Sequence, residues 1–150
     1  MAVRIIQFML LFLLVFLPAY SQDSEKIESL LNENEINCGQ AAWFTLATVL
    51  NEAPDGEQEA FKLACEKGWL PVKTEIKDLI TMKKLSLLVM KAFEIKGGMM
   101  YRCTKNARYA YRDLKDMGIL PSNTYSNLKV SGEQFLYILS NASPDNGGAQ

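Results

Sequence analysis

The feature that most constrains this chain is a stretch that occurs twice. FKLACEKGWLP (61–71) lies over YRDLKDMGILP (111–121) without a gap. At the same offset, DLITMKKLSLLVMKA (78–92) lies over LKVSGEQFLYILSNA (128–142). Gly68, Leu70, Pro71, Thr74 and Ala92 recur as Gly118, Leu120, Pro121, Thr124 and Ala142. The apolar positions recur too: Trp69/Ile119, Ile80/Val130, Leu85/Phe135, Leu88/Ile138 and Val89/Leu139. A unit this short cannot bury its own apolar face, so stacked units have to build the core.

Each copy reads as helix, extended turn, helix. In the first, 57–67 is helical with Ala60, Phe61 and Ala64 inward, and Gly68 stops it, because glycine enters the left-handed region at least cost. Leu70-Pro71 leads away extended. Thr81 caps the next helix, Ile80 is placed for a hydrophobic staple, and Leu85, Leu88, Val89 and Ala92 face the core. In the second, a helix over about 106–117 packs Ala107, Ala110, Tyr111 and Leu114 and is stopped by Gly118. Ser131 and Gln134 then form a capping box, and Phe135, Ile138, Leu139 and Ala142 face inward. Lys96-Gly97-Gly98 reads as a flexible joint between the copies. Two copies are clear, and the stretch before them can be read as a degenerate third, though its helix after the cap matches poorly. A helix reads over 23–36 with Ile27, Leu30 and Leu31 on one face, and 23–33 would be the first helix of that copy. Ile36-Asn37-x-x-Gln40 then opens a helix with Trp43, Leu46, Ala47 and Leu50 on one face, ended by the turn residues 53–56.

The predicted fold is therefore all-α: one helical repeat domain over 22–142, with units at about 23–53, 57–93 and 107–142. The residues before it read as a secretion signal, 1–21. Arg4 is its only charge, 5–17 is apolar apart from Gln7, and Ala19-Tyr20-Ser21 suits cleavage before Gln22. That run is short for a membrane span, which needs about 20 residues. The expected location is the periplasm or cell envelope. Residues 143–150 are small and polar and should fray.

The pattern of helix, Gly-apolar-Leu-Pro, loop, then Ile/Val-Thr/Ser opening an apolar helix resembles the S-layer homology repeat. The resemblance covers about 57–93 and 107–142 well and 24–51 poorly. It implies a bacterial envelope protein, often with three repeats in a pseudo-threefold helical body that holds wall-associated polysaccharide. In that family an arginine directly after the capping Thr contacts the ligand. Here the position holds Met82, Gly132 and, in the degenerate copy, Cys38, so the polysaccharide site is carried over to no residue of this chain.

Chemistry is bounded by what is missing. There is no histidine, which removes the commonest general base and metal ligand. Cys38, Cys65 and Cys103 are far from any C-x-x-C spacing. They can serve as small buried apolar residues, or one pair can be oxidised. No cofactor or metal is expected. Met82, Met90, Met99 and Met100 read as core filling. An enzyme would have to work with carboxylates alone, in a concave pocket where two of them converge.

Charge is unevenly distributed. From 22 to 59 there are nine acids and one base; from 82 to 115 there are nine bases and two acids. Either the two regions neutralise each other in the fold, or the basic one is a surface for an anionic partner. Lys105, Arg108, Arg112 and Lys115 fall on a helical stripe about 80° wide, with Arg102 and Tyr109 close in sequence. The other copy has Asp55, Gln58, Lys62 and Cys65 there, so the fold does not require the stripe. These six residues are the candidate binding site. The partner it fits is an acidic envelope polysaccharide or protein, or lipid phosphate; nucleic acid is not expected. The function read from the sequence is a non-catalytic adaptor or anchor. The alternative is a structural subunit of a larger periplasmic or outer-membrane-associated complex.

Overall fold

The computed structural model describes residues 21–51 and 53–143. The expected leader, apart from Ser21, and the expected tail beyond Ser143 lie outside the described residues. The chain forms α1 (Ser21–Leu31), α2 (Cys38–Leu50), α3 (Glu57–Glu66), α4 (Met82–Ala92), α5 (Met99–Thr104), α6 (Ala107–Asp116) and α7 (Gly132–Ala142). Among the described residues there is no strand, only isolated antiparallel bridges at Asn37–Leu79 and Thr81–Lys129. The fold is all-α, and no described helix is long and apolar enough to cross a membrane.

Three extended segments meet at the centre and bond in a closed cycle. The Ile36 N–H donates to the Val130 carbonyl (2.9 Å), Val130 to Ile80 (3.3 Å), and Ile80 back to Ile36 (3.0 Å). All three side chains are fully buried. One step outward the cycle runs the other way. Cys38 N–H donates to Asp78 (2.9 Å), Met82 to Leu128 (2.8 Å) and Gly132 to Glu33 (3.0 Å). These donors are the first residues of α2, α4 and α7. The orphan N–H groups that every helix start leaves open are thus satisfied by a neighbouring loop. Helix packing follows the same cycle: α2 lies on α3, α4 on α6, and α7 on α1.

The helix ends are built as their residues dictate. Gly68 and Gly118 take φ of 67° and 75°. Behind them Trp69 N–H reaches Ala64 (2.8 Å) and Ile119 N–H reaches Leu114 (3.0 Å), the Schellman closure. Asn37/Gln40 and Ser131/Gln134 form capping boxes. Thr81 does not: it occupies the cap position of α4, but its buried hydroxyl bonds to nothing. The third helical position there is Lys84, which has no acceptor to return to the cap and instead pairs with Asp78 at 3.4 Å.

Several expectations are corrected. The first helix stops at Leu31 rather than running to Ile36, because 34–36 must extend for Ile36 to reach the central cycle. Only Leu30 of its apolar trio is buried; Ile27 and Leu31 are exposed, as is Leu50 on α2. Lys96-Gly97-Gly98 is not a loose joint but the tightly packed entry to α5. The Gly98 N–H donates to Asp113 Oδ2 (2.8 Å). A Cβ on Gly97 would come within 2.6 Å of both Asp113 and Tyr101. Of the four methionines, Met82 and Met90 fill the core, whereas Met99 and Met100 stand in solvent.

Candidate functional site

The predicted basic stripe does not stay together. Lys115 turns back into the fold: its ammonium donates to the Thr124 carbonyl (2.9 Å) and lies 3.3 Å from the Tyr111 hydroxyl, which donates to the same carbonyl (2.7 Å). Arg108 and Arg112 are exposed and line a shallow hollow of about 330 Å³ with Tyr109, Tyr111 and Ser126. Asn106 sets that turn, its side chain accepting from the Arg108 N–H (2.9 Å). Arg102 and Lys105 go elsewhere, because α5 swings them onto the end of α4.

There they join a cavity of about 650 Å³ between the ends of α3 and α4 and the body of α5. Its cations are Lys67, Lys91, Lys96, Arg102 and Lys105; Glu94 is the one acid. Trp69 and Tyr101 supply aromatic walls. The Lys67 ammonium sits 5.6 Å from the Trp69 ring centre, and that of Lys105 sits 4.8 Å from Tyr101, inside cation–π range. Lys91 is anchored through its ammonium to the Gly68 carbonyl. Burial, and then the charge of Lys105, hold its pKa below the usual lysine value. The other cations extend from exposed residues. Lys67, Lys91 and Lys96 were missed by the sequence reading. A helical stripe tests positions on one helix, and these come from the ends of two others and the linker after them.

Among the described residues no ion pair joins the acidic region to the basic one. The described ion pairs are Lys62–Glu66 (3.8 Å) and Lys84–Asp78 (3.4 Å), and neither joins 22–59 to 82–115. Among the described residues the pocket cations have no carboxylate within ion-pair distance.

A second hollow, of about 320 Å³, lies between α1 and the starts of α2 and α3 and is lined by Glu33, Glu57, Gln40, Trp43 and Lys26 among others. It brings two carboxylates to one concavity. The Glu57 carboxyl is pushed up by burial and then by the charge of Glu33. Glu33, however, is already engaged: both its oxygens accept from Gln40 Nε2 at 2.8 Å. Gln40 Oε1 closes the α2 capping box. The Lys26 ammonium covers the Trp43 ring at 4.2 Å. These contacts clamp the end of α1 to the start of α2.

Cys38, Met82 and Gly132, each directly after a cap residue, are all buried. Cys65 and Cys103 are exposed rather than buried, and all three thiols are free. No described group of cysteine and acidic side chains could hold a metal ion. Comparison with protein-family models, with curated proteins and with solved structures found no match for this chain.

Proposed function

We propose that this is an exported, non-catalytic interaction protein that binds an anionic component of the bacterial envelope and acts there as an adaptor or anchor. One observation carries the reading: five cations line a single cavity with one acid among them and no ion-pair partner among the described residues. Burial, and then the charge of Lys105, hold the Lys91 pKa below the usual lysine value, in keeping with cations gathered at one place. Arginine adds two-pronged contact with carboxylate or phosphate. The envelope part of the reading leans on the leader-like residues 1–21 and on the resemblance to S-layer homology repeats. A closed cycle of three loops is in keeping with that resemblance. The anion pocket lies away from the post-cap positions where that family has its arginine.

The test is a pull-down from envelope fractions. Changing Arg102 and Lys105 together to Glu should abolish capture of envelope material while leaving the helical circular-dichroism signal intact. Capture that persists would remove the pocket from consideration. A second reading, a structural subunit of a larger complex, draws on the exposed apolar side chains Ile27, Leu31, Val49 and Leu50. Such a subunit should co-purify with a fixed protein partner and ignore the charge reversals.

A further inference from the structure

We infer that α5 and the cationic pocket beside it form a docking face for a phospholipid surface rich in anionic headgroups. Met99 and Met100 enter the acyl boundary while Lys96, Arg102 and Lys105 meet lipid phosphate. The inference rests on the anion-site reading above and narrows its ligand to lipid phosphate within a membrane.

Two independent observations meet on α5. The first is apolar. Met99 and Met100 are 79% and 51% exposed, side by side on a six-residue helix whose opposite side is fixed to the body. Tyr101 is buried there, and Asp113 holds Gly98. Methionine adapts to irregular apolar surroundings, so an exposed pair on an anchored tip is suited to entering lipid. The second observation is charge. Lys96 precedes Met99 by three residues and Arg102 follows it by three. Positions three apart on a helix are neighbours, which puts Arg102 beside Met99. Long basic side chains lay their stems along an apolar boundary and keep their heads at the phosphate level. A soluble anion or an acidic glycan would use the cations and leave the methionines in water. A lipid surface uses both. The contact is interfacial, in keeping with the absence of a spanning helix among the described residues.

The full chain is tested by co-sedimentation with phosphatidylcholine vesicles and with vesicles that also contain phosphatidylglycerol. The anionic vesicles should bind roughly tenfold tighter or better, and salt should erase the difference. Arg102→Glu with Lys105→Glu should abolish the preference. Met99→Ser with Met100→Ser should weaken binding to the anionic vesicles roughly tenfold while keeping its salt dependence. Any contribution from residues 1–20 is common to all these chains. A local readout comes from the native thiols. A polarity-sensitive dye on Cys103, in a Cys65→Ser chain, should shift to the blue with anionic vesicles; the same dye on Cys65, in a Cys103→Ser chain, should not. No shift at Cys103, a preference that survives the charge reversals, or full competition by millimolar inorganic phosphate would each overturn the inference. If envelope capture still depends on Arg102 and Lys105 when the vesicle result is negative, the lipid assignment falls and the anion site stands. If that dependence is lost as well, both fall.

Discussion

Glu94 is the residue whose two roles are easiest to separate. It follows the cap of α4 with φ of 52°, the position that Gly68 and Gly118 hold after α3 and α6. A side chain pays a steric penalty in that region that glycine does not. Glu94 is also the single acid lining the cationic cavity. Glu94→Gly should therefore raise the melting temperature, with a gain of about 1 kcal/mol, and also tighten capture of anionic envelope material. A thermal melt and the pull-down check the two effects separately. The thiols offer a pH test. Burial pushes the Cys38 thiol from 9.0 up to about 11. The folded state then holds a proton that the unfolded chain releases earlier. Its contribution to stability is full below about pH 9 and is lost as pH rises through about 11. Cys38→Ala should flatten the alkaline fall in denaturant midpoint over that window. At neutral pH an alkylating reagent should modify Cys103 and Cys65 and reach Cys38 only on unfolding.

Helix α1 closes the cycle by packing on α7. Its closure on α7 depends on Gly132, where an added Cβ would lie 1.7 Å from the Leu30 carbonyl oxygen. Backbone cannot give way there as a flexible side chain could. Gly132→Ala should cost about 1–3 kcal/mol, and amide exchange should show α1 losing protection first while α4 and α6 keep theirs. Element starts and stops were the most legible part of the sequence. Gly68, Gly118, Asn37/Gln40 and Ser131/Gln134 act through neighbours within a few positions, so local chemistry determines them. α5 was not legible, because Met99–Thr104 is too short for an apolar period and is fixed by Asp113, 15 positions beyond Gly98. The candidate binding residues split for the same reason. Arg102 and Lys105 were found as bases, but Lys67 and Lys91 join them only once the fold brings the ends of α3 and α4 to one cavity.

At the scale of the whole molecule, the fold closes on itself through Ile36, Ile80 and Val130. Each of these amides is buried and bonds to a different segment, so none can open without disturbing the other two. Their exchange should be the slowest in the chain and should follow global unfolding in denaturant. Exchange of any one through a local opening, with the others still protected, would show that the three segments are not one cooperative unit. The charge asymmetry also belongs to this scale. Acidic residues gather around α1 and the start of α3, and the cationic cavity takes Lys67 from just beyond the end of that same helix. A ten-residue helix is about 15 Å long, which keeps the two regions apart.

The cycle at the centre also dictates an order of events for a chain made from one end. Ile36 emerges early, yet the carbonyl it donates to belongs to Val130, near the other terminus. Until that residue is present the hub is missing a side. Pairing so distant in sequence slows folding in general. A chain folding as it is made therefore keeps its hub open until the segment around Val130 arrives to close it.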